Sequence, residues 1–360
     1  MDFDYTAEQR ALREAVRALL GRTYATIDRR REVTAVDPGF DEVVWTRLAE
    51  MGVLGLPFPE EAGGVGAGPV EVGLVAEEIG RVLAPEPFVE AVVLCGGMLA
   101  RAGADVSAIA DGTVIPAFVD APGVSARRTG ATWALDGSAA PVLNGARADL
   151  LVVVADVDGT PALFTTTQHE PTSFATYDGG RAARIGFAAS PAEPVGDPAA
   201  DAGETVAYAR AGAQVAYAHE ALGAMERALE TTCDYLRSRR QFGRPLKDFQ
   251  SLTFRAADMY VSLELARSTA SWASMVLAEG DTAAGIEAAS RAKLRVAESG
   301  RHIAQEAIQL HGGIGMTMEY QVGHYATRLT AIERLLGDRR HQVARLAATV
   351  GDHRTVDPLH

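Results

Sequence analysis

Apolar residues recur every three or four positions in two long blocks of this chain and alternate in short runs between them. The sequence therefore predicts helices, then strands, then helices again. In the first block TAEQRALREAVRALLGR sets Ala, Leu and Val on one face behind a threonine cap, and DEVVWTRLAEMGVLGL repeats the pattern. PFPEEAGGVGAG, residues 57 to 68, interrupts it as a loop. Its glycine pairs could be taken for a phosphate cradle, but no strand precedes them and no Lys-Ser/Thr follows, which argues against a dinucleotide loop. PVEVGLVAEEIGRVLAPEPF then reads as helix until its prolines stop it. From about Thr113 to Val195 the texture changes to TVIPAFV, ATWALDG, LLVVVA, PALFTTT and ARIGFA, short runs separated by Gly, Asp and Pro, which predict a small β domain. Beyond the linker PVGDPAADAG an Ala-rich amphipathic pattern returns, with helices expected over about 203–237, 246–279, 284–311 and 319–350. The expected fold is α+β, mainly α: an N-terminal helical domain (1–112), a small middle β-barrel or sandwich (113–197) and a C-terminal four-helix bundle (198–360).

Composition narrows the partners. With 360 residues, 48% of them hydrophobic, the chain can bury two or three real cores. A formal charge of -13 argues against nucleic acid and against an anionic membrane surface, since both require a basic face. An anionic ligand must then be met locally. No apolar run reaches the roughly 20 residues that a membrane helix needs, and the acidic start MDFDYTAEQR does not resemble a signal peptide. The expected location is the cytoplasm. Cys95 and Cys233 stand in separate apolar stretches without metal-ligand spacing, so neither a disulfide nor a metal site is expected.

One stretch concentrates cations. YLRSRRQFGRPLKDFQ, residues 235 to 250, places Arg237, Arg239 and Arg240 at the end of an apolar-periodic helix. Phe242-Gly243 and Pro245 then stop that helix and turn the chain, with Pro245 expected to open the next one. Guanidinium groups form a rigid donor fork suited to a diphosphate, a neighbouring aromatic can cover a flat ring, and glycine admits a ligand to the backbone. Positive charge also suits a helix C-terminus for its own sake, and the spacing does not separate the two readings. A second stretch, Gln309-Leu310-His311-Gly312-Gly313, ends another long helical pattern with paired glycines.

Together Arg239-x-Gln241-Phe242-Gly243, Gln250 and Gln309-x-x-Gly312-Gly313 resemble the C-terminal signature of the acyl-CoA dehydrogenase family of flavoproteins. WTRLAEMGVLGLPFPEEAGGVG followed by EEIGRVLAPEPF resembles the family's N-terminal helical domain. The resemblance spans nearly the whole chain and is strongest over 45–88 and 203–315. It implies that Arg239, Gln241, Phe242, Gln250, Gln309, Gly312 and Gly313 hold the ADP half of an FAD whose flavin ring sits in a neighbouring subunit. It also implies an acyl-CoA substrate and an electron-transfer flavoprotein as acceptor.

The resemblance also shows where this chain departs from the family. The usual catalytic glutamate, about two dozen residues after the paired glycines, corresponds to Leu336 in Leu336-Gly337-Asp338. The alternative glutamate on the first bundle helix corresponds to Ala213. Neither accepts a proton, and Glu333, one helical turn before Leu336, is the remaining candidate, although its arginine-rich surroundings also suit a solvated ion-pairing face. The family's flavin-ring loop and Trp-Ile-Thr turn correspond to FVDAPGVSA (118–126) and APVLNGARAD (140–149), where Pro141 and Leu143 replace the Trp and Thr. The expected role is the non-catalytic subunit of a heteromeric α2β2 acyl-CoA dehydrogenase, completing the FAD site of a homologous catalytic partner, as in split enzymes acting on steroid side-chain CoA esters. A homomeric enzyme with a displaced base, and a flavin-free structural or acyl-CoA-binding paralogue, are the alternatives. His311 is expected either against the nucleotide or packed at its helix end.

Overall fold

The computed structural model describes residues 5–317 and 319–352. The chain forms two compact units that meet in sequence between Ala224 and Met225.

The first unit opens with α1 (Ala7–Thr23), where Thr6 and Gln9 cap each other reciprocally, each side chain accepting from the other's backbone N–H at 3.2 and 2.9 Å. The shorter α2 (Ile27–Thr34) and α3 (Glu42–Glu50) follow, and then α4 (Pro69–Val82), which is buried along almost its whole length. Burial of α4 is possible because its carboxylates are neutralised: Arg13 and Arg17 reach Glu77 and Glu78 at 2.7 Å. A π-helical run, Phe88–Gly96, passes into α5 (Gly97–Arg101), and α6 (Ser107–Ala110) completes the helical segment.

Beside this segment Glu86 is buried, accepting from the Tyr24 hydroxyl at 2.5 Å and the Asp41 N–H at 3.3 Å, while its Oε2 has no partner among the described residues. Burial pushes its pKa up to about 7. A carboxyl raised by folding favours the native state while protonated, so its contribution is complete below the unfolded value and is lost as pH rises towards 7. Wild type should lose on the order of 3 kcal/mol relative to Glu86→Gln between about pH 4.5 and 7, read from urea midpoints of the two proteins across that range. Parallel curves would show that the carboxyl is not held protonated.

The strands follow as β1 (Pro116–Thr129), β2 (Thr132–Leu143), β3 (Leu150–Val157), β4 (Thr160–Thr166), β5 (Glu170–Ala175) and β6 (Arg181–Pro194). Their order is β2-β1-β3-β4-β6-β5, and a further β2–β6 ladder closes the first five into a barrel, with β5 on the outer edge of β6. All pairings are antiparallel except β1 with β3. The barrel interior is apolar, with Val119, Leu135, Val153, Phe164 and Ile185 fully buried. Two features depart from the sequence pattern. β1 and β2 run well beyond the expected short segments, and β5 is an additional strand whose mostly exposed, polar residues gave no alternation to read. The helix α7 (Gly203–Ser238) begins in this unit. It crosses α4 so closely that a Cβ on Gly80 would lie 1.8 Å from the Glu220 carbonyl oxygen, and one on Gly223 1.9 Å from that of Glu77.

The second unit holds the end of α7 and the helices α8 (Gln250–Ala278), α9 (Thr282–His311), α10 (Gln321–Arg334) and α11 (Arg339–Thr349). α8, α10 and α11 all pack on α9. Two expectations are corrected here. The helix expected over 319–350 is two, because Leu336 and Gly337 both take positive φ (56° and 99°) and Asp338 caps a new helix by accepting from the His341 N–H. Apolar spacing ran through this break and hid it. Pro245 does not open α8: it lies in a two-residue strand, a 3-10 turn at Leu246–Asp248 follows, and the helix starts at Gln250.

Candidate functional site

The arginine-rich corner is a miniature hairpin. β7 (Arg240–Gln241) pairs with β8 (Arg244–Pro245), and the two residues between them, Phe242 and Gly243, have φ of 50° and 80°, the two-residue turn that matches strand twist. Glycine reaches that conformation freely, whereas a phenylalanine there is disfavoured by about 1 kcal/mol. Phe242 is nonetheless 90% exposed, touching Phe249 edge-on at 6.1 Å between ring centroids. Its placement contributes little to the chain's own packing.

The four arginines of the corner differ in what they already hold. Arg237 pairs with Asp234 at 2.9 Å, Arg240 donates to the Gly243 carbonyl at 3.1 Å, and Arg244 lies over the Phe249 ring at 4.1 Å. Arg239 is exposed and its side chain makes no hydrogen bond or ion pair among the described residues. The helix-capping reading therefore suits Arg237, and the open donor fork belongs to Arg239. Gln241 and Gln250 are exposed beside it, and no side chain caps the start of α8, leaving the positive end of its dipole open.

Helix α9 ends at the second motif. The Gly312 N–H donates to the Ile308 and Gln309 carbonyls, and its φ of 67° is the reason for glycine there. A Cβ on Gly312 or on Gly313 would meet nothing within 4 Å, so the second glycine is not explained by packing inside the chain. Gln309 is exposed on the last turn. The two motifs meet through rings: Tyr235, one turn before Arg239, stacks on His311 at 4.5 Å, and Tyr320 closes on His311 at 5.0 Å. Contacts Arg255 to Glu306 (2.5 Å) and Ser299 to the Ser262 carbonyl (2.9 Å) run α8 antiparallel to α9. Carried back along α8, that register sets Gln250 level with His311. All seven expected cofactor-binding residues are thus gathered at one end of the second unit.

His311 itself is buried. Its Nδ1–H donates to the Ala307 carbonyl at 2.7 Å, Nε2 has no partner among the described residues, and burial lowers its pKa, so the ring is held neutral as a packing element. The Tyr235–His311–Tyr320 stack was not singled out from sequence; aromatic residues 76 and 85 positions apart leave no local signal.

The two positions that the resemblance pairs with a base, Ala213 and Leu336, carry no carboxylate. Ala213 is fully buried in α7, within the first unit. Leu336 is half-buried at the break between α10 and α11, where the buried Gln342 amide donates to the Leu336 and Gly337 carbonyls at 3.5 and 3.3 Å. Glu333 is half-buried on the last turn of α10 and, contrary to the ion-pairing expectation, makes no salt bridge among the described residues. Nearby, buried Lys293 donates to the Ile332 carbonyl and fixes the end of that helix.

The middle-domain positions are occupied by the chain itself. Residues 118–126 lie inside β1, irregular between Asp120 and Ser125, and Arg210 forms an ion pair with Asp120 while its guanidinium sits 5.7 Å from the Phe118 ring. At 140–149 the Asn144 amide donates to the Pro116 carbonyl at 3.1 Å, and Asp149 accepts from the Ile115 N–H at 3.0 Å. These groups fasten the barrel.

A helical segment, a closed small barrel and a second helical segment with an arginine-rich corner are the architecture of a known class of oxidoreductases. Residues 6–106 match the acyl-CoA dehydrogenase N-terminal domain and residues 204–351 the acyl-CoA dehydrogenase C-terminal domain. The chain is 33% identical to acyl-CoA dehydrogenase IpdE2 of Mycobacterium tuberculosis over 348 residues, 95% of this chain and 97% of that protein. It superposes on the Tcur3481-Tcur3483 steroid ACAD G363A variant with a TM-score of 0.87 at 29% identity, covering 96% of this chain and 98% of the other. For the ChsE4-ChsE5 complex from M. tuberculosis the TM-score is 0.89 at 26% identity, over 99% and 100%. The chain belongs to the acyl-CoA dehydrogenase family of oxidoreductases. Among the described residues, no helix is long and apolar enough to cross a membrane.

Proposed function

We propose that this chain is the non-catalytic subunit of a heteromeric FAD-dependent acyl-CoA dehydrogenase, clamping the ADP half of an FAD whose ring is seated in a homologous partner. The observation that carries this reading is the contrast between an exposed, uncommitted Arg239 beside an unexplained Gly313 and the lack of a carboxylate at Leu336 and Ala213. The donor set fits a diphosphate: one guanidinium fork, the amides of Gln241, Gln250 and Gln309, and backbone N–H groups opened by Gly312 and Gly313. The segments that the resemblance pairs with the flavin-ring loops are engaged within the chain, by the Arg210–Asp120 pair and by the Asn144–Pro116 hydrogen bond, which supports seating the ring in the partner.

Bound FAD supplies the hydride acceptor for α,β-desaturation of an acyl-CoA thioester. This chain's residues then orient and hold: Arg239 neutralises the diphosphate, Phe242 covers the nucleotide from solvent, and the glycines let the backbone approach it. The carboxylate that removes the α-proton belongs to the partner. A steroid side-chain thioester is the substrate class in this reading, supported by the solved steroid relative, and an electron-transfer flavoprotein is the electron acceptor.

The test is flavin content. The tagged chain is purified alone and co-expressed, one at a time, with each homologous acyl-CoA dehydrogenase chain of the same genome, and flavin absorbance is compared per chain. A colourless lone chain and a yellow complex with one FAD per pair of unlike chains is the expected result. A lone chain that binds one FAD and reduces it with an acyl-CoA would overturn the reading and return Glu333 as the base.

A further inference from the structure

The arginine-rich corner carries a fifth cation. Lys247 is the middle residue of the 3-10 turn Leu246–Asp248, which joins β8 to α8. Its backbone is pinned from two sides: the Leu246 N–H donates to the Arg239 carbonyl at 2.8 Å, and the Thr253 hydroxyl, in the first turn of α8, donates to the Lys247 carbonyl at 2.8 Å. Its side chain is exposed and has no hydrogen bond or ion pair among the described residues. A fixed main chain thus presents an uncommitted charge next to Arg239. Asp248 follows on a turn of about three residues, so the two side chains leave it roughly 120° apart.

Charge counting gives this cation a task. A diphosphate esterified at both ends carries two negative charges, and a chain of formal charge -13 offers an anion no general attraction. Of the five cations, Arg237 is paired with Asp234, Arg240 donates to the Gly243 carbonyl and Arg244 lies over the Phe249 ring. Arg239 and Lys247 remain, two open cations for two phosphates. Their chemistries are complementary: a guanidinium fork orients one phosphate, and a compact ammonium with three rotatable donors adapts to the other. The chain has one other lysine, Lys293, which is buried against the Ile332 carbonyl. Lys247 is therefore the lysine that a water-soluble reagent can reach.

We propose that Lys247 is the second cation of the clamp, its ammonium neutralising one phosphate of the FAD diphosphate while Arg239 neutralises the other. The inference rests on the nucleotide-clamp reading above and adds to it a residue outside the Arg239, Gln250 and Gln309 signature.

Two measurements on the co-purified complex test it. Acetylation of the peptide bearing Lys247, followed by mass, should be at least fivefold slower in the FAD-loaded complex than in the same complex stripped of FAD. In equilibrium dialysis against limiting FAD, Lys247→Ala should weaken binding about tenfold, Lys247→Glu more, and Lys247→Arg by no more than about twofold. Thermal midpoints should not move, because the ammonium holds nothing within the chain. Equal acetylation in the two states, or wild-type FAD retention by Lys247→Glu in a complex that Arg239→Ala strips, would overturn the role of Lys247 and leave the clamp reading intact. Protection without any loss of affinity in Lys247→Ala would also overturn it, by showing that FAD only covers the amine. Failure of the wild-type complex to bind FAD would defeat the clamp reading and this inference with it.

Discussion

Gly223→Val should cost the first unit its fold. Gly223 on α7 lies against α4, and a Cβ there would stand 1.9 Å from the Glu77 carbonyl oxygen and 2.8 Å from the Arg81 nitrogen. The contact is reciprocal, since a Cβ at Gly80 would stand 1.8 Å from the Glu220 carbonyl oxygen. Each obstacle is backbone, so no side chain can swing aside. The helices must separate, which opens the buried surface of α4 and exposes the Glu77 and Glu78 carboxylates that Arg13 and Arg17 neutralise. Overpacking of a tight core typically costs about 1–3 kcal/mol, and here two backbones must part, so a loss of at least about 3 kcal/mol is expected. Gly212→Ala on the same helix is the control: its Cβ would meet only the Val93 side chain at 3.9 Å, and helix propensity should leave stability unchanged or raise it by up to about 1 kcal/mol. Urea midpoints and soluble yield read both. A Gly223→Val protein as stable as wild type would mean that α4 and α7 do not cross at these glycines.

How far such features can be read from sequence depends on the range of the interaction behind them. The Thr6 cap, the helix of α4 behind Pro69 and the barrel strands rest on neighbours within a turn or on two-residue alternation, and all were legible. Strand β5 was not, because its register comes from hydrogen bonding along β6 rather than from burial of its own side chains. The break at Leu336 was obscured by apolar spacing on both sides, although Gly337-Asp338 carried a stop and a cap. In the candidate site the residue types and spacing pointed to the corner. They could not reveal that Arg237 is committed to Asp234 while Arg239 is open, nor that His311 is stacked and buried, because both depend on which side chains the fold brings together.

Arg239→Ala should strip flavin from the heteromeric complex without disturbing the chain that carries it. Because the guanidinium holds no partner among the described residues, its removal breaks no internal bond, and the thermal midpoint should move by no more than the scatter of surface substitutions. Towards a diphosphate the same group offers charge-assisted hydrogen bonds worth about 1.5–3 kcal/mol, which weakens FAD binding roughly ten- to a hundredfold when they are lost. Lysine should restore only part of the affinity, since a point charge cannot reproduce the two parallel donors of the fork. Arg237→Ala gives the contrast: that side chain is spent on an exposed pair with Asp234, and its loss should leave flavin content near wild type. Equilibrium dialysis of the complex against limiting FAD, followed by its absorbance, separates these cases. Equal flavin retention by Arg239→Ala and Arg237→Ala would place the diphosphate elsewhere, and the paired glycines at 312 and 313 would then lack the anion that best accounts for the second of them.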